Sequence, residues 1–258
     1  MERVTKAMDR NGRIVSSACG IMRLEGMTVP GTVRDSILRC LRDEAVFDFA
    51  VVYVAGARAG YRSFHKVERS DEDPYCYAGS RTPVNRLNIR DANVLETRIR
   101  DVVAIRIAEL EAHPITRRIS SDYLRSIHRH LYGDIFSWAG EYRDTDYSDC
   151  PADCRAMHIE GCVAELLKDA ENRDFFSDSP SLSEDLAHLI SELSAISPFR
   201  VGSQVCILVL ANIIAEMNGR YLDYSKASES LMDIAIRRGI NGDASLLSEM
   251  MAKILDSY

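Results

Sequence analysis

The longest apolar run in the sequence, at 205–215, constrains the fold more than any other feature. Asn212 is its only polar residue, and the run is too short to cross a bilayer, which takes about 20 residues. A helix of this composition has to be covered by other parts of the chain. The sequence therefore predicts a buried helix around which the remaining elements pack.

Elsewhere, apolar residues recur at spacings of three and four, which is typical of helices with one buried face. The clearest example is the stripe of Leu95, Ile99, Val102 and Ile107. The run at 45–55 could be a helix or a strand, and we predict a helix because its neighbours are helical. The other predicted helices lie near 7–24, 32–41, 121–132, 160–173, 182–196, 226–237 and 243–256.

The predicted fold class is all-α, and the one candidate for strand structure is a short β-hairpin at 143–157. Composition and pattern divide the chain into three segments. These are a small helical annex at 1–57, an irregular connecting arm at 58–90 and a larger helical domain at 91–258.

The composition limits the class of protein and its partners. The chain is 46% apolar and 28% charged, with a net charge of −7, which is typical of a globular protein. An acidic chain is poorly suited to bind nucleic acid, because phosphates attract cations. The seven cysteines are an odd number, and no hydrophobic block follows the first charged residues. We therefore expect reduced thiols, a cytoplasmic location and no membrane partner.

Two stretches of the larger domain match known sequence motifs. The first, at 127–143, contains Trp138, Ala139 and Gly140 and is similar to IHxxLFxDxxxWAGxxR. The second, at 197–208, aligns without gaps on HPFx(D/E)GNGRxxR, and about 50 residues separate the two stretches. Both motifs and this separation resemble those of the Fic (Fido-fold) family. The resemblance covers roughly residues 91–240 and implies a Fido-like helical core.

The resemblance also implies which residues would carry the chemistry. The family transfers AMP from ATP to a hydroxyl group of a target protein. Its motif supplies a histidine base, a carboxylate for Mg²⁺, a Gly-Asn-Gly phosphate cradle and two arginines. The corresponding residues here are Ser197 for the base, Val201 for the carboxylate, Gly202, Ser203 and Gln204 for the cradle, and Val205 and Leu208 for the arginines.

These replacements predict that catalysis by the family mechanism is lost. A serine hydroxyl cannot accept a proton near neutral pH as imidazole does, and valine offers no ligand to a hard cation. No cofactor is therefore expected.

The residues that shape the motif are retained. Pro198, Phe199 and Gly202 are present, and Trp138 is expected to act as a packing anchor. A helix start at Gly202 and Ser203 could bind an anion weakly, although we expect Ser203 simply to cap the helix. The sequence thus predicts the scaffold of the family without its chemistry.

The annex resembles the inhibitory (S/T)xxxE(G/N) motif of the antitoxins that partner some Fic proteins. Ile21 stands at the Ser/Thr position, followed by Arg23, Glu25 and Gly26. In the family the glutamate pairs with the second motif arginine, whose place is taken here by Leu208. The resemblance implies an antitoxin-like segment that docks on a Fic-like core, and a glutamate that has lost its partner.

Cys150, Cys154, His158 and Cys162 recur at intervals of four, which suggests a zinc site. On one continuous helix they would span about 18 Å, too far to ligate one ion at about 2.0–2.3 Å. A loop could bring them together, but we favour free or buried thiols without metal.

The preferred hypothesis is a catalytically inactive Fic-like protein that binds a protein partner, or a second copy of itself, in a regulatory role. The alternative is a divergent Fic-fold transferase using ATP and Mg²⁺, with Ser197, Ser203, Asp146 or Asp149 in a remodelled pocket. A third hypothesis is a zinc-stabilised interaction module at 150–162.

Overall fold

The computed structural model describes residues 9–55, 73–115, 118–146, 154–172, 175–176 and 179–257. The α-helices are α1 (Arg10–Leu24), α2 (Gly31–Leu41), α3 (Phe47–Ala55), α4 (Ala92–Ala112), α5 (Ser121–Tyr132), α6 (Ile159–Asn172), α7 (Leu182–Ile196), α8 (Ser203–Met217), α9 (Glu229–Ile240) and α10 (Ser245–Ile254). Two 3-10 helices span Ala156–His158 and Tyr224–Lys226, and the strands are β1 (Arg220–Leu222) and β2 (Leu255–Ser257). The predicted helical fold class is confirmed, including the helix at 45–55. Among the described helices, none has the length and apolar character that crossing a membrane requires.

Helix α8 lies at the centre of the protein. All of its residues from Val205 to Ala215 are buried, and it packs against α1, α5, α7 and β1. The side chain of Asn212 is fully used: its amide donates to Glu111 Oε1 at 3.1 Å, and its oxygen accepts from the Leu222 N–H at 3.0 Å. The predicted buried helix is therefore confirmed, and its one polar residue is satisfied.

The annex helices pack on the core. Helices α1, α2 and α3 contact α4, and α1 also contacts the 3-10 helix Tyr224–Lys226. The approach there is close, since a β-carbon on Gly20 would lie 2.7 Å from Cβ of Tyr224. The Nη2 atom of Arg23 donates to the carbonyls of Tyr224 at 2.9 Å and Ala227 at 2.7 Å. A glycine and an arginine thus fix α1 against the segment that follows β1.

The described part of the connecting arm, at 73–90, is irregular, as predicted. Asn85 holds it together by donating to the carbonyl of Ile89 at 2.7 Å and accepting from the N–H of the same residue at 3.0 Å. The N–H of Arg86 donates to the carbonyl of Ile135 at 2.7 Å. The arm therefore lies along the loop that follows α5, while its first half falls outside the described residues.

Strand structure is limited to one antiparallel pair within the described residues. Strands β1 and β2 place Tyr221 opposite Asp256. Each spans three residues, too few for an alternating pattern to be recognised in sequence. The predicted hairpin at 143–157 has its central residues, 147–153, outside the described part of the chain, and its described flanks form no strand.

A buried carboxyl group joins the annex to the core. Glu111 on α4 accepts at Oε1 from Ser17 Oγ of α1 at 2.5 Å and from Asn212 of α8. Burial, reinforced by the charge of Glu216, raises the pKa of Glu111 to about 8 despite these two hydrogen bonds. The folded protein therefore keeps this group mostly protonated at neutral pH.

Replacing Glu111 by glutamine should remove a pH-dependent loss of stability. Between the usual carboxyl pKa of 4.5 and about 8, the unfolded chain has released a proton that the folded protein still holds. The free energy of unfolding of the wild type therefore falls with rising pH, by up to about 1.4 kcal/mol per pH unit from this group. Glutamine keeps the acceptor oxygen and cannot ionise.

Urea unfolding at about pH 5, 6.5 and 8 measures the effect. Glu111→Gln should become more stable relative to wild type as pH rises, whereas Glu165→Gln, at an exposed position, should not. Parallel pH profiles for wild type and Glu111→Gln would contradict the assignment.

Candidate functional site

The motif turn, defined here as 197–202, links α7 to α8 and is left-handed at both ends. Ser197 follows α7 with φ 45° and ψ 68°, and Gly202 precedes α8 with φ 77°. A β-carbon on Gly202 would lie 2.2 Å from the ring of Tyr132, which is buried on α5. Glycine is therefore required here both by the backbone conformation and by the contact.

His128 joins the two stretches that resemble the Fic family. It is fully buried on α5, and its Nδ1 accepts from the N–H of Gly140 at 2.8 Å, while its Nε2 lies 2.9 Å from the carbonyl oxygen of Val201. Because a carbonyl can only accept, Nε2 carries the proton and the ring is neutral. Burial lowers the pKa of His128 to about 4, and its ring stacks on Phe199 with centroids 3.9 Å apart.

The Trp-Ala-Gly loop packs beside this histidine. The ring of Trp138 stacks on Phe136 with centroids 4.4 Å apart and meets Tyr75 of the arm edge-on at 5.3 Å. Ala139 is buried, and Gly140 has φ 86°. These contacts fit the packing role expected for Trp138.

Arg143 clamps the motif turn from the same loop. Its side chain is completely buried, and its backbone N–H donates to the carbonyl of Pro198 at 2.9 Å. Its guanidinium donates to the carbonyls of Thr145 (2.9 Å), Cys154 (2.6 Å), Ile196 (3.2 Å) and Ser197 (2.9 Å). Backbone oxygens therefore solvate the guanidinium cation. Because these oxygens belong to the turn, to Thr145 and to Cys154, Arg143 connects the turn to the chain before and after the segment 147–153.

Two polar side chains at the motif positions form hydrogen bonds with the turn and its flanking helix. The hydroxyl of Ser203 accepts from the N–H of Phe199 at 2.8 Å and donates to the carbonyl of Phe199 at 2.9 Å. The expectation that Ser203 caps α8 is therefore wrong: Gly202 is the N-cap residue, and the helix has no side-chain cap. Gln204 accepts at Oε1 from Ser194 Oγ at 3.0 Å.

Two buried side-chain donors in the described residues have no hydrogen-bond partner, namely Nε2 of Gln204 and Nε1 of Trp138. The Gln204 amide lies in the first turn of α8, where backbone N–H groups are also free of intrahelical partners. The weak anion site predicted at Gly202 and Ser203 remains a prediction.

The positions of the two family arginines belong to the hydrophobic core. Val205 is 1% exposed and Leu208 is 0% exposed. The carbonyl of Leu208 accepts from the hydroxyl of Tyr224 at 2.7 Å, which places the residue under the segment that holds α1. Aliphatic side chains at these two positions have no means of binding a phosphate.

The charged residue within the motif turn is Arg200, and it is already paired. Its guanidinium forms an ion pair with Asp73 of the arm and lies 5.9 Å from the centroid of the Tyr75 ring. The hydroxyl of Tyr75 in turn donates to Asp144 at 2.7 Å. The arm is therefore attached directly to the motif turn.

The residues of the turn do not fit a magnesium nucleotide as the family motif would hold it. Val201 supplies no carboxylate, and its carbonyl is taken by His128. Ser197 supplies no imidazole, and Val205 and Leu208 supply no cation. What remains toward an anion is the start of α8 and the unpartnered amide of Gln204.

The inhibitory-like residues of the annex lie at the end of α1. Ile21 is buried, Glu25 is the C-cap residue of α1, and Gly26 follows with φ 72°. Burial, with the charges of Asp233 and Glu229, raises the pKa of Glu25 to about 7. Burial and then the charge of Glu25 raise the pKa of Tyr132 well above its usual value. Glu25 therefore interacts electrostatically with the phenol that packs on Gly202.

The candidate zinc ligands are only partly brought together. The Sγ atoms of Cys154 and Cys162 are 3.6 Å apart, while His158 is exposed and Cys150 lies outside the described residues. Within the described part of the chain, no group of three or more His, Cys, Asp and Glu residues could hold a metal ion.

One of the two acids suggested for a remodelled pocket lies beside the residue that clamps the turn. Asp146 accepts at Oδ1 from the N–H of Ala156 at 2.7 Å, and the same oxygen lies 3.8 Å from Nη1 of Arg143. Asp149 lies outside the described residues, and the hydroxyl of Ser203 is occupied by Phe199.

Sequence reasoning missed the residues that build the turn, which are His128, Tyr132 and Arg143. All three lie inside the stretch that resembles the family, so the signal was present. It did not identify their roles, because each of them contacts the motif turn or its flank about 50–70 positions further along the chain.

Replacing Arg143 by methionine should destabilise the fold strongly. The change leaves several buried carbonyls without a donor, and losing one partner of a buried charged interaction costs about 3–5 kcal/mol. Urea unfolding measures the difference. Arg237→Met, at an exposed position on α9, is the matched control and should change stability little. A loss no larger than that of the control would contradict the clamp.

Known proteins resemble this chain in sequence and in fold. The Fic/DOC family model matches residues 118–215. The "Probable protein adenylyltransferase Fic" of Escherichia coli (strain K12) is 33% identical over 186 residues, which cover 71% of this chain and 92% of that protein. The protein of the same name from Salmonella typhimurium is 31% identical with the same coverage. "Protein adenylyltransferase VbhT" of Bartonella schoenbuchensis is 25% identical over 190 residues, or 72% of this chain and 40% of that protein.

Solved structures share the fold. The crystal structure of BepC from Bartonella tribocorum, with bound AMPPNP, has a TM-score of 0.66 at 21% identity, over 71% of this chain and 97% of that one. The N-terminal Fic domain of a Bartonella effector protein from Bartonella sp. AR 15-3 has a TM-score of 0.65 at 22% identity, over 75% and 95%. The matches in sequence and in fold bear out the resemblance, and the chain belongs to the Fic/DOC family.

Proposed function

We propose that this member of the Fic family has lost the AMP transfer of the family and acts by binding another protein. The observation that carries the proposal is the burial of Val205 and Leu208. They stand where the motif has its two arginines, and both are part of the core.

The chemical argument concerns charge. Nucleotidyl transfer depends almost wholly on positioning and on stabilising the charge of the transferred group. Loss of a general base alone typically costs 10²–10⁴ in rate. Here the base, the metal carboxylate and both phosphate cations are replaced together, so no single substitute residue restores the mechanism.

The structural argument concerns what has been kept. The residues that shape the turn are present. Gly202 stands where the contact with Tyr132 requires glycine, Arg143 is buried and donates to four backbone carbonyls, and the neutral ring of His128 connects the turn to Gly140. These interactions fix the shape of the turn without contributing chemistry in this chain. A retained shape supports a role as a binding surface, with a second copy of the chain, an active Fic protein or the target of one as the partner.

The annex supports a regulatory form of this binding. Its helix α1 is held to the 3-10 helix Tyr224–Lys226 by Arg23 and Gly20, and the charge of Glu25 contributes to the raised pKa of Tyr132. We place the function in the cytoplasm, which the free cysteines of the described residues support.

Nucleotide binding tests the catalytic half of the proposal. Calorimetric titration of the full chain with ATP and Mg²⁺ should give a Kd no tighter than about 1 mM, and labelled ATP should leave no label on the chain. Glu25→Gly should change neither result, because Leu208 cannot pair with the glutamate or bind phosphate. A Fic protein with an intact motif serves as positive control.

Tighter binding, or self-labelling of either form, would overturn the assignment of an inactive site. If only Glu25→Gly bound or transferred nucleotide, the glutamate would be inhibiting a site that is still competent.

Competition tests the binding half. Added in excess to a Fic adenylyltransferase with an intact motif, the chain should lower the rate of target labelling by sequestering the enzyme or its target. Sedimentation velocity between about 1 and 100 μM reports self-association in the same preparation. No competition, together with a monomer at every concentration, would contradict the proposal.

A further inference from the structure

Two thiols that the motif does not use lie next to each other. Cys154 lies two residues before the 3-10 helix Ala156–His158, and Cys162 is in the first turn of α6. Their Sγ atoms are 3.6 Å apart, with Cys154 donating to Cys162. Both residues are half-buried free thiols, so neither is sealed inside the core.

The surrounding backbone keeps these sulfurs adjacent. The carbonyl of Cys154 accepts from Arg143 at 2.6 Å, and the N–H of Ala156 is held by Asp146 at 2.7 Å. On the other side, α6 is anchored by the buried Ile159. The two thiols are therefore close because the chain around Cys154 and the start of α6 are each held in place by these contacts.

We propose that Cys154 and Cys162 form a redox-active dithiol site whose oxidant is a low-molecular-weight disulfide such as glutathione disulfide. In the oxidised state a disulfide closes the loop 154–162. In the reduced state both thiols are free.

The reaction balances as two thiol–disulfide exchanges. The Cys162 thiolate attacks one sulfur of the oxidant, its S–S bond breaks, and one glutathione thiolate leaves. Cys154 then loses its proton, and its sulfur attacks the sulfur of Cys162 and expels the second glutathione thiolate. The protein gives up two electrons and two protons, and the oxidant is reduced to two thiols.

The hydrogen bond between the two thiols assigns their order. Cys154 is the donor in this bond, so it keeps its proton and attacks second, and burial together with this bond raises the pKa of Cys154. The sulfurs have to approach by about 1.5 Å to reach the disulfide bond length of about 2.05 Å. Held so close, the second thiol acts at a high effective concentration.

Peptide mapping of the full chain tests the site. The protein is equilibrated with glutathione disulfide, blocked with N-ethylmaleimide and digested with trypsin, which cleaves after Arg143, Arg155 and Lys168. A Cys154–Cys162 disulfide links peptide 144–155 to peptide 156–168, and we expect this linked pair as the main oxidised product. The oxidised protein should also unfold at a temperature about 5 °C higher.

Variants identify the cysteines. Cys150→Ser should keep the linked pair, which assigns Cys154 rather than Cys150 within peptide 144–155. Cys162→Ser should abolish it, and Cys19→Ser, at another half-buried thiol, should leave it unchanged. A link within peptide 144–155, pairing with other cysteines, or a persistent glutathione adduct would overturn the proposal. The wild-type map decides this even if a variant fails to fold.

Discussion

The burial of α8 is the constraint on which the rest of the structure depends. A helix whose residues are buried from Val205 to Ala215 has no face for solvent, so other elements have to cover all of it. Its one polar side chain, Asn212, must then find partners inside the core. It finds them in Glu111 on α4 and Leu222 on β1, and Glu111 in turn binds Ser17 of the annex. Hydrogen bonds through Asn212 and Glu111 thus connect α8, β1, α4 and α1.

The same constraint explains the altered motif. The family arginines would stand at the start of α8, at Val205 and Leu208, where burial here is complete. An arginine in such a place is tolerated only when an anion or acceptors compensate its desolvation. Aliphatic residues remove that cost and extend the core by two side chains. The same two substitutions therefore remove two cations from the motif and add two side chains to the core.

The helices could be predicted from sequence because their signal is local. Spacings of three and four located α4 and α5, and the apolar run located α8. Strands β1 and β2 escaped because three-residue strands carry no pattern, and their pairing joins residues 35 positions apart. The same distinction between local and long-range signals applies to the candidate site. The motif residues were identified by alignment, but the hydroxyl of Ser203 was assigned to a helix cap, whereas it closes the turn on Phe199. Such an interaction depends on the three-dimensional path of the turn.

The annex is attached to the core by residues other than its inhibitory-like glutamate. In the family the glutamate acts through a motif arginine, and here the charges that shift the pKa of Glu25 belong to Asp233 and Glu229, both acidic. Glu25 therefore does not hold the annex in place. That role belongs to Arg23, which binds two backbone carbonyls, and to Gly20, which lets α1 approach Tyr224. None of these contacts involves a motif side chain, so the position of the annex does not require a competent active site. The attachment of the annex is therefore independent of the side chains at the motif positions, and replacements at those positions leave these contacts unchanged.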